Sequence, residues 1–311
     1  MVALVTGPAL ITLAVTGGTG FVGRMVLDRA AASQWQMRAL ARREPPAVPL
    51  VEWVRGDLEN PAALMQMVSG ASSLIHIAGL TKATKPAAFH AANVLGTQAV
   101  LEAARAGGIR HFVFVSSLAA RKPELSAYGR SKADGEQLVR ASGVPFTIVR
   151  PPAVFGPRDT DMLELFRLGR RGVVPLPPPG KASLIDVRDL ADLLLALAQG
   201  SGEGALYEPD DGADDGYTHR QLAGMIAAAV GRDTVFAPHL PGRLLQMAAR
   251  ADTLIRRSHA RLTADRAAYM KHPDWVVDPA ARPPAALWQP RFPAAVGLAQ
   301  TAQWYRDEGW L

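Results

Sequence analysis

No cysteine occurs anywhere in this sequence. That excludes disulfides, thiolate metal sites and cysteine nucleophiles, and it fits a reducing, cytoplasmic setting. The seven histidines show no ligand spacing such as H-E-x-x-H, so zinc hydrolysis has no support and no metal site is expected. No dense Lys/Arg run accompanies the net charge of +6. Nucleic acid is therefore a poor partner, whereas an anionic ligand such as a cofactor phosphate suits the charge. Long apolar runs are also scarce. The stretch from Val2 to Val15 is broken at Gly7-Pro8, and it lacks both the length of a membrane span and the basic start of a signal peptide. Residues 1–10 read as a short extension, with a membrane anchor as the alternative. No repeat period is visible. What is present, 49% hydrophobic and 20% charged residues in a chain of 311, is ordinary for one large α/β domain with a smaller lobe.

From Ile11 to about Arg150, short apolar runs alternate with amphipathic segments. The predicted strands are Ile11–Thr16, Gln36–Ala41, Val51–Arg55, Ser73–Ala78, His111–Ser116 and Phe146–Arg150. Helical patterns fall at Phe21–Ser33, Ala87–Ala106 and Ala127–Ala141. Strict alternation of this kind predicts a parallel sheet covered on both faces. Ligands on such sheets sit at the carboxyl ends of the strands. After Arg150 proline becomes frequent, at Pro151-Pro152 and across Pro175–Pro179. Ser183–Val187 and Asp189–Gln199 read as one more strand and helix returning to the sheet. The expected division is a nucleotide-binding domain of residues 11–156 plus 183–200, and a substrate-binding lobe of 157–182 plus 201–311.

Thr16-Gly17-Gly18-Thr19-Gly20-Phe21-Val22-Gly23 follows a predicted strand and opens a predicted helix. Gly17 permits the tight turn, Gly20 lets the backbone approach a diphosphate, and Gly23 lets helix and strand pack closely. The N–H groups of the helix N-terminus then face phosphate. This context makes the run a dinucleotide-binding fingerprint of the Rossmann type, with a doubly wound sheet. The echo at Val5-Thr6-Gly7 lacks the later glycines. The second strand ends Leu40-Ala41-Arg42-Arg43, with no carboxylate to hold ribose hydroxyls. Arginines there suit a 2′-phosphate, so NADP(H) is favoured over NAD(H). Asp57, in Gly56-Asp57-Leu58 after the third strand, either accepts from adenine or caps the helix near Pro61. Ala78 and Gly79 leave room for the cofactor backbone, while His76 reads as a satisfied core histidine.

Tyr128 and Lys132 stand at i and i+4, which on a helix places them on one face, about 5–6 Å apart at Cβ. A lysine that close is expected to lower the tyrosine pKa, so that the phenol serves as general acid or base. Ser116-Ser117 ends the strand just before that helix and offers a hydroxyl to a substrate oxygen.

With these motifs in hand, the chain resembles the extended branch of the short-chain dehydrogenase/reductase superfamily. That branch includes nucleotide-sugar epimerases and dehydratases, dihydroflavonol-reductase-like enzymes and hydroxysteroid-dehydrogenase-like enzymes. The carrying residues are the glycine run, Gly56-Asp57-Leu58, Ala78-Gly79, Asn93-Val94-Leu95-Gly96-Thr97, Ser116-Ser117 and the Tyr128/Lys132 pair. They continue with Arg150–Pro157, Ile185–Leu190 and the closing Trp304–Leu311. The resemblance implies that Tyr128, Lys132 and a serine carry the proton chemistry, that Asn93 orders the site, and that Pro151–Val154 packs against the nicotinamide. Many members place the active hydroxyl one residue later, where this chain has Leu118. Ser117 is therefore the expected catalytic serine, with Ser116 supporting it.

The leading expectation is an NADP(H)-dependent oxidoreductase acting on a carbonyl/alcohol pair of a small molecule. An epimerase or dehydratase holding NAD tightly is the alternative, against which Arg42, Arg43 and the absence of a carboxylate in Leu118-Ala119-Ala120 both weigh. A non-catalytic dinucleotide sensor is the third reading. In the lobe, Met162, Leu165, Phe166, Val173 and Leu176 suit either a hydrophobic substrate or helix cores. Arg243, Arg250, Arg256, Arg257, Arg261 and Arg266 read as a solvated basic face or as contact with an anionic substrate or membrane surface. A homodimer is compatible with all of this.

Overall fold

The computed structural model describes residues 12–257, 260 and 262–311. The extension 1–10, Ile11, the Val5-Thr6-Gly7 echo and Arg261 lie outside the described residues. In the first half the order is β1 (Thr12–Thr16), α1 (Phe21–Ala32), β2 (Gln36–Ala41), β3 (Val51–Arg55), α2 (Pro61–Val68) and β4 (Ser73–His76). It continues with α3 (Pro86–Phe89), which runs through a π-helical turn, His90–Leu95, into α4 (Gly96–Ala106). Then come β5 (His111–Val115), α5 (Ala127–Ala141), β6 (Phe146–Val149) and β7 (Ala153–Phe155). The remainder is α6 (Leu163–Arg170), β8 (Lys181–Ala182), β9 (Leu184–Asp186), α7 (Val187–Ala198), β10 (Leu206–Tyr207), β11 (Tyr217–Thr218), α8 (His219–Ala229), α9 (Gly242–Arg256), α10 (Ala264–Met270), β12 (Asp274–Trp275) and α11 (Ala294–Asp307).

Seven strands form one sheet in the order β10-β6-β5-β4-β1-β2-β3, and every pairing in it is parallel. The two-residue period of each strand sorts its side chains to opposite faces. Leu13, Val15, Ile75, Val113 and Val115 join α1 and α7 in one core, while Ala14, Leu74, Phe112 and Phe114 join α2, α4 and α5 in the other. The fold is therefore a doubly wound, Rossmann-like sandwich. The strand order reverses between β1 and β4, so the crevice at their carboxyl ends is the place for a ligand.

Two expectations change. Residues 184–186 do not return to the main sheet; β9 pairs with β7 in a separate two-stranded ladder, although α7 does pack on α1. The seventh strand is instead β10, inside the range assigned to the lobe, where two residues are too few to show a period. The predicted strand ends at Ala78, Ser116 and Arg150 also overran, leaving those residues in the loops that carry the site.

The lobe holds a three-stranded sheet, β11-β8-β12. A core of Phe155, Phe166, Ile226, Leu298 and Tyr305 joins α6, α8 and α11. A smaller cluster of Leu245, Ala249 and Ala267 joins α9 to α10. Phe166 and Leu176 are thus core residues rather than a pocket lining. Among the described residues no helix is long and apolar enough to cross a membrane, and no group of side chains could hold a metal ion.

Candidate active site

The glycine turn is closed by backbone contact. Gly17 has φ +76°, and a Cβ there would stand 2.7 Å from the Ala78 backbone nitrogen. A Cβ on Gly23 would meet the Gly17 carbonyl oxygen at 2.1 Å. Only glycine allows these approaches. Gly20 caps α1 without any side-chain hydrogen bond, and the first turn holds no acid. The helix thus presents its positive end uncompensated, which fits a diphosphate.

Around this turn a buried chain of hydrogen bonds ties β1 to β4. The Ala78 N–H donates to Thr16 Oγ1, 3.2 Å, and Thr16 lies 2.6 Å from His76 Nδ1. On the far side His76 Nε2 lies 2.9 Å from Thr97 Oγ1, whose own proton goes to the Asn93 carbonyl. Donor accounting puts the His76 proton on Nε2. Burial, with the Lys132 charge nearby, holds its pKa down to about 3. His76 is a satisfied, neutral core histidine.

Asn93 sits in the π-helical turn and clamps the loop after β4. Its Oδ1 accepts from the Leu80 N–H, and its Nδ2 donates to the Leu80 carbonyl and to Ser131 Oγ. A Cβ on Gly79 would be 2.7 Å from Asn93 Oδ1 and 3.7 Å from Lys132 Nζ. Gly79, Asn93 and Lys132 therefore form one narrow wall of the crevice.

Ser126 caps α5 by accepting from the Gly129 N–H, 2.9 Å, and two residues on Tyr128 is almost fully buried. Its phenol lies beside the Ser117 side chain. Ser117 also accepts from the Ala119 N–H at 3.2 Å, capping a short 3₁₀ turn. The two expected side chains thus meet. The expected fall in the tyrosine pKa does not occur: burial pushes it up to about 12, the Ser117 hydroxyl and the Arg266 charge only partly opposing this. Lys132 Nζ instead donates to the Val115 carbonyl, 2.8 Å, above the Phe114 ring. Burial brings its own pKa down to about 8. Sharing a helix face does not suffice when the ammonium has a nearer acceptor.

Ser116 looks elsewhere. Its hydroxyl donates to Glu136 Oε1, 2.6 Å, and Glu136 takes two further bonds from Arg150, at 2.8 and 2.7 Å. That buried pair pins α5 against β5 and β6. Leu118 is buried. The Pro151 carbonyl accepts from the Leu118 N–H, 3.0 Å, while Val154 lies half-buried in β7. At the other edge Arg42 and Arg43 stand exposed beyond β2, with no ion pair engaging either among the described residues. Asp57 Oδ1 accepts from the Glu59 N–H, and α2 is capped by Asn60, so the capping role falls to the latter. Leu58 packs against Gly96.

Sequence reasoning missed the cover over Tyr128. Asp265 of α10 accepts from the Ala127 N–H at 2.6 Å and the Tyr128 N–H at 3.3 Å. Tyr269 lies 6.4 Å from the Tyr128 ring, Phe89 5.9 Å from it, and Trp275 6.1 Å beyond Tyr269. Arg266, read as part of a basic face, is half-buried between Asp161 and Tyr269. No local pattern announces Asp265, Arg266, Tyr269 and Trp275, because they lie over 130 positions from Tyr128.

Comparison with known proteins agrees with this fold. Residues 13–208 match the model of the NAD dependent epimerase/dehydratase family. The chain belongs to that family, as an NAD(P)-dependent oxidoreductase of the extended short-chain dehydrogenase/reductase type. It is 38% identical over 309 residues to the ceramide reductase of Caulobacter vibrioides, with 96% of each chain covered. It is 36% identical to the 4-hydroxy-2-methyl-3-oxo-4-farnesyl-3,4-dihydroquinoline-1-oxide ketoreductase of Stigmatella aurantiaca, over 64% of this chain and 68% of that one. Among solved structures, gox2253 superposes with a TM-score of 0.77 over 97% of this chain and all (100%) of its own, at 22% identity, a likeness of fold.

Proposed function

We propose that this chain is an NADP(H)-dependent reductase that converts a ketone on a ceramide-type, long-chain lipid into an alcohol. The observation that carries the chemistry is the meeting of the Ser117 and Tyr128 side chains at the carboxyl end of β5. With a pKa near 12, the phenol stays protonated at neutral pH and is poised to give its proton to a carbonyl oxygen. Ser117 orients that oxygen by hydrogen bonding. Lys132, on the same helix face but bonded to the Val115 carbonyl, would steady the phenolate left behind only by giving up that acceptor. Nicotinamide, when bound, supplies the hydride for the carbonyl carbon.

The uncapped α1 terminus and the Gly17, Gly20 and Gly23 turn, with Thr19, Phe21 and Val22, would hold the diphosphate. Asp57 and Leu58 would border the adenine, and Ala78, Gly79, Asn93, Ser116, Pro151 and Val154 the nicotinamide half. Arg42 and Arg43 would pair with a 2′-phosphate. The substrate class is supported by the ceramide reductase, similar along almost its full length. The aromatic surroundings of Tyr128, formed by Phe89, Tyr269 and Trp275, also suit an apolar ligand.

Replacing Tyr128→Phe is expected to lower kcat about 10²–10⁴-fold while leaving NADPH affinity unchanged in a fluorescence titration. Turnover at the wild-type rate would remove Tyr128 from this role. Replacing Arg42→Asp is expected to shift the ratio of kcat/KM values from NADPH towards NADH. An unchanged ratio would overturn the cofactor assignment.

A further inference from the structure

The outward face of α9 is apolar. With 3.6 residues per turn, Met247, Ala251 and Leu254 fall on one line, opposite the buried Leu245 and Ala249 that seat the helix on α10. Met247 is 63% exposed, Leu254 79% and Ile255 80%. Leu244 and Ile255 widen this stripe on one flank. On the other flank stand Arg243 and Arg250, seven residues apart, and Arg257 continues the spacing just past the helix end; all three are exposed. Residues 242–257 contain four arginines and a single acid, Asp252. That acid lies away from the outward face, paired with Arg256 at 3.2 Å and accepting from the Leu262 N–H at 2.8 Å. So the outward face carries no negative charge.

Large aliphatic side chains this exposed, on a helix already fastened by its other side, need a partner. The shape and charge select its chemistry. A helix face is convex and differs from the concave pockets in which protein partners set aromatic or arginine anchors. A row of apolar side chains edged by arginines is the pattern of a helix lying in a bilayer interface. Its apolar line enters the acyl boundary while the guanidinium groups reach anionic headgroups. We propose that α9 docks this protein on the surface of an anionic lipid bilayer. The docked helix adjoins α10, which supplies Asp265 to the first turn of α5 and Tyr269 to the Tyr128 ring. Docking therefore sets the cover of the candidate site at the lipid interface. This inference stands on the α9 surface alone, and it holds or fails whatever ketone is reduced.

The full chain would be sedimented with phosphatidylcholine vesicles, and with vesicles of phosphatidylcholine mixed with phosphatidylglycerol. The expected result is binding to the mixed vesicles, weakened by high salt because headgroup attraction is screened. The paired variants Met247→Glu/Leu254→Glu and Arg243→Glu/Arg250→Glu should each lower the partition coefficient on the order of tenfold or more. Circular dichroism and thermal unfolding should match wild type. Because the chain has no cysteine, a Leu254→Cys variant carries a single environment-sensitive fluorophore, whose emission should shift to the blue on mixed vesicles. This second readout applies even if a glutamate variant fails to fold. Three results would overturn the proposal: no sedimentation and no blue shift, binding that neither pair weakens, or a wild-type dimer in solution that Leu254→Glu dissociates.

Discussion

The parallel sheet with its covering helices and the C-terminal lobe are held together by different means. Within the sheet, adhesion is apolar and continuous: β5 is buried from His111 to Val115, and two aliphatic cores run along its faces. The lobe has smaller, separate clusters, and much of its attachment consists of carboxylates accepting backbone N–H groups. Asp189 receives Arg291 and Phe292, and Asp265 receives Ala127 and Tyr128. Burial scales with area and tolerates little change, whereas a few directed hydrogen bonds fix a position while leaving most of the surface free. A sheet held by continuous burial and a lobe attached through specific points form a division that lets the surface of the lobe vary.

Removing a large side chain from each half tests this contrast most strongly. Phe112→Ala should cost about 3–5 kcal/mol in urea unfolding, and Leu245→Ala only about 2 kcal/mol, because the small α9–α10 cluster relaxes more readily. Equal losses would show that the lobe is part of one continuous core. A smaller effect is expected from Asp265→Ala, about 1–2 kcal/mol for a carboxylate at a helix N-terminus. If α10 covers the site through that contact, KM for the ketone should rise while NADPH affinity stays put; a change confined to cofactor binding would contradict the proposed cover.

The gentlest contrast is in pH. Burial raises the Asp159 carboxyl from 3.8 to about 6, so between those values the folded chain keeps a proton that the unfolded chain has lost. Its contribution to stability therefore falls as pH rises through that window, by up to about 1.4 kcal/mol per unit. Neutral His76, held down from 6.5 to about 3, acts in the opposite sense. The unfolded chain takes up a proton there, so stability falls as pH drops below 6.5. One group lies in the segment assigned to the lobe and the other in the sheet, and where the windows overlap they offset each other. Asp159→Asn should expose the His76 slope as a melting temperature that declines steadily on acidification. A variant that melts at the same temperature across this range would mean that His76 is not held neutral.

The two halves also differ in how much of them could be read in advance. Six of the seven main strands and the helices between them follow from short apolar runs and from amphipathic segments, because each such strand is long enough to declare its own burial. The glycine turn was legible for a similar reason: Gly23 answers to the Gly17 carbonyl a few residues before it, although the Ala78 backbone that crowds Gly17 comes from a strand remote in sequence. Ser117, Tyr128 and Lys132 could be picked out because they lie at a strand end and on the next helix. By itself, then, the chain determined the local elements, their alternation and the chemistry-bearing side chains. Tertiary packing determined which acceptor Lys132 takes, which way the Tyr128 pKa moves, the place of Leu206-Tyr207 in the sheet, and the Asp265–Tyr269 cover. Those outcomes depend on burial and on partners remote in sequence, and neither leaves a periodic trace along the chain.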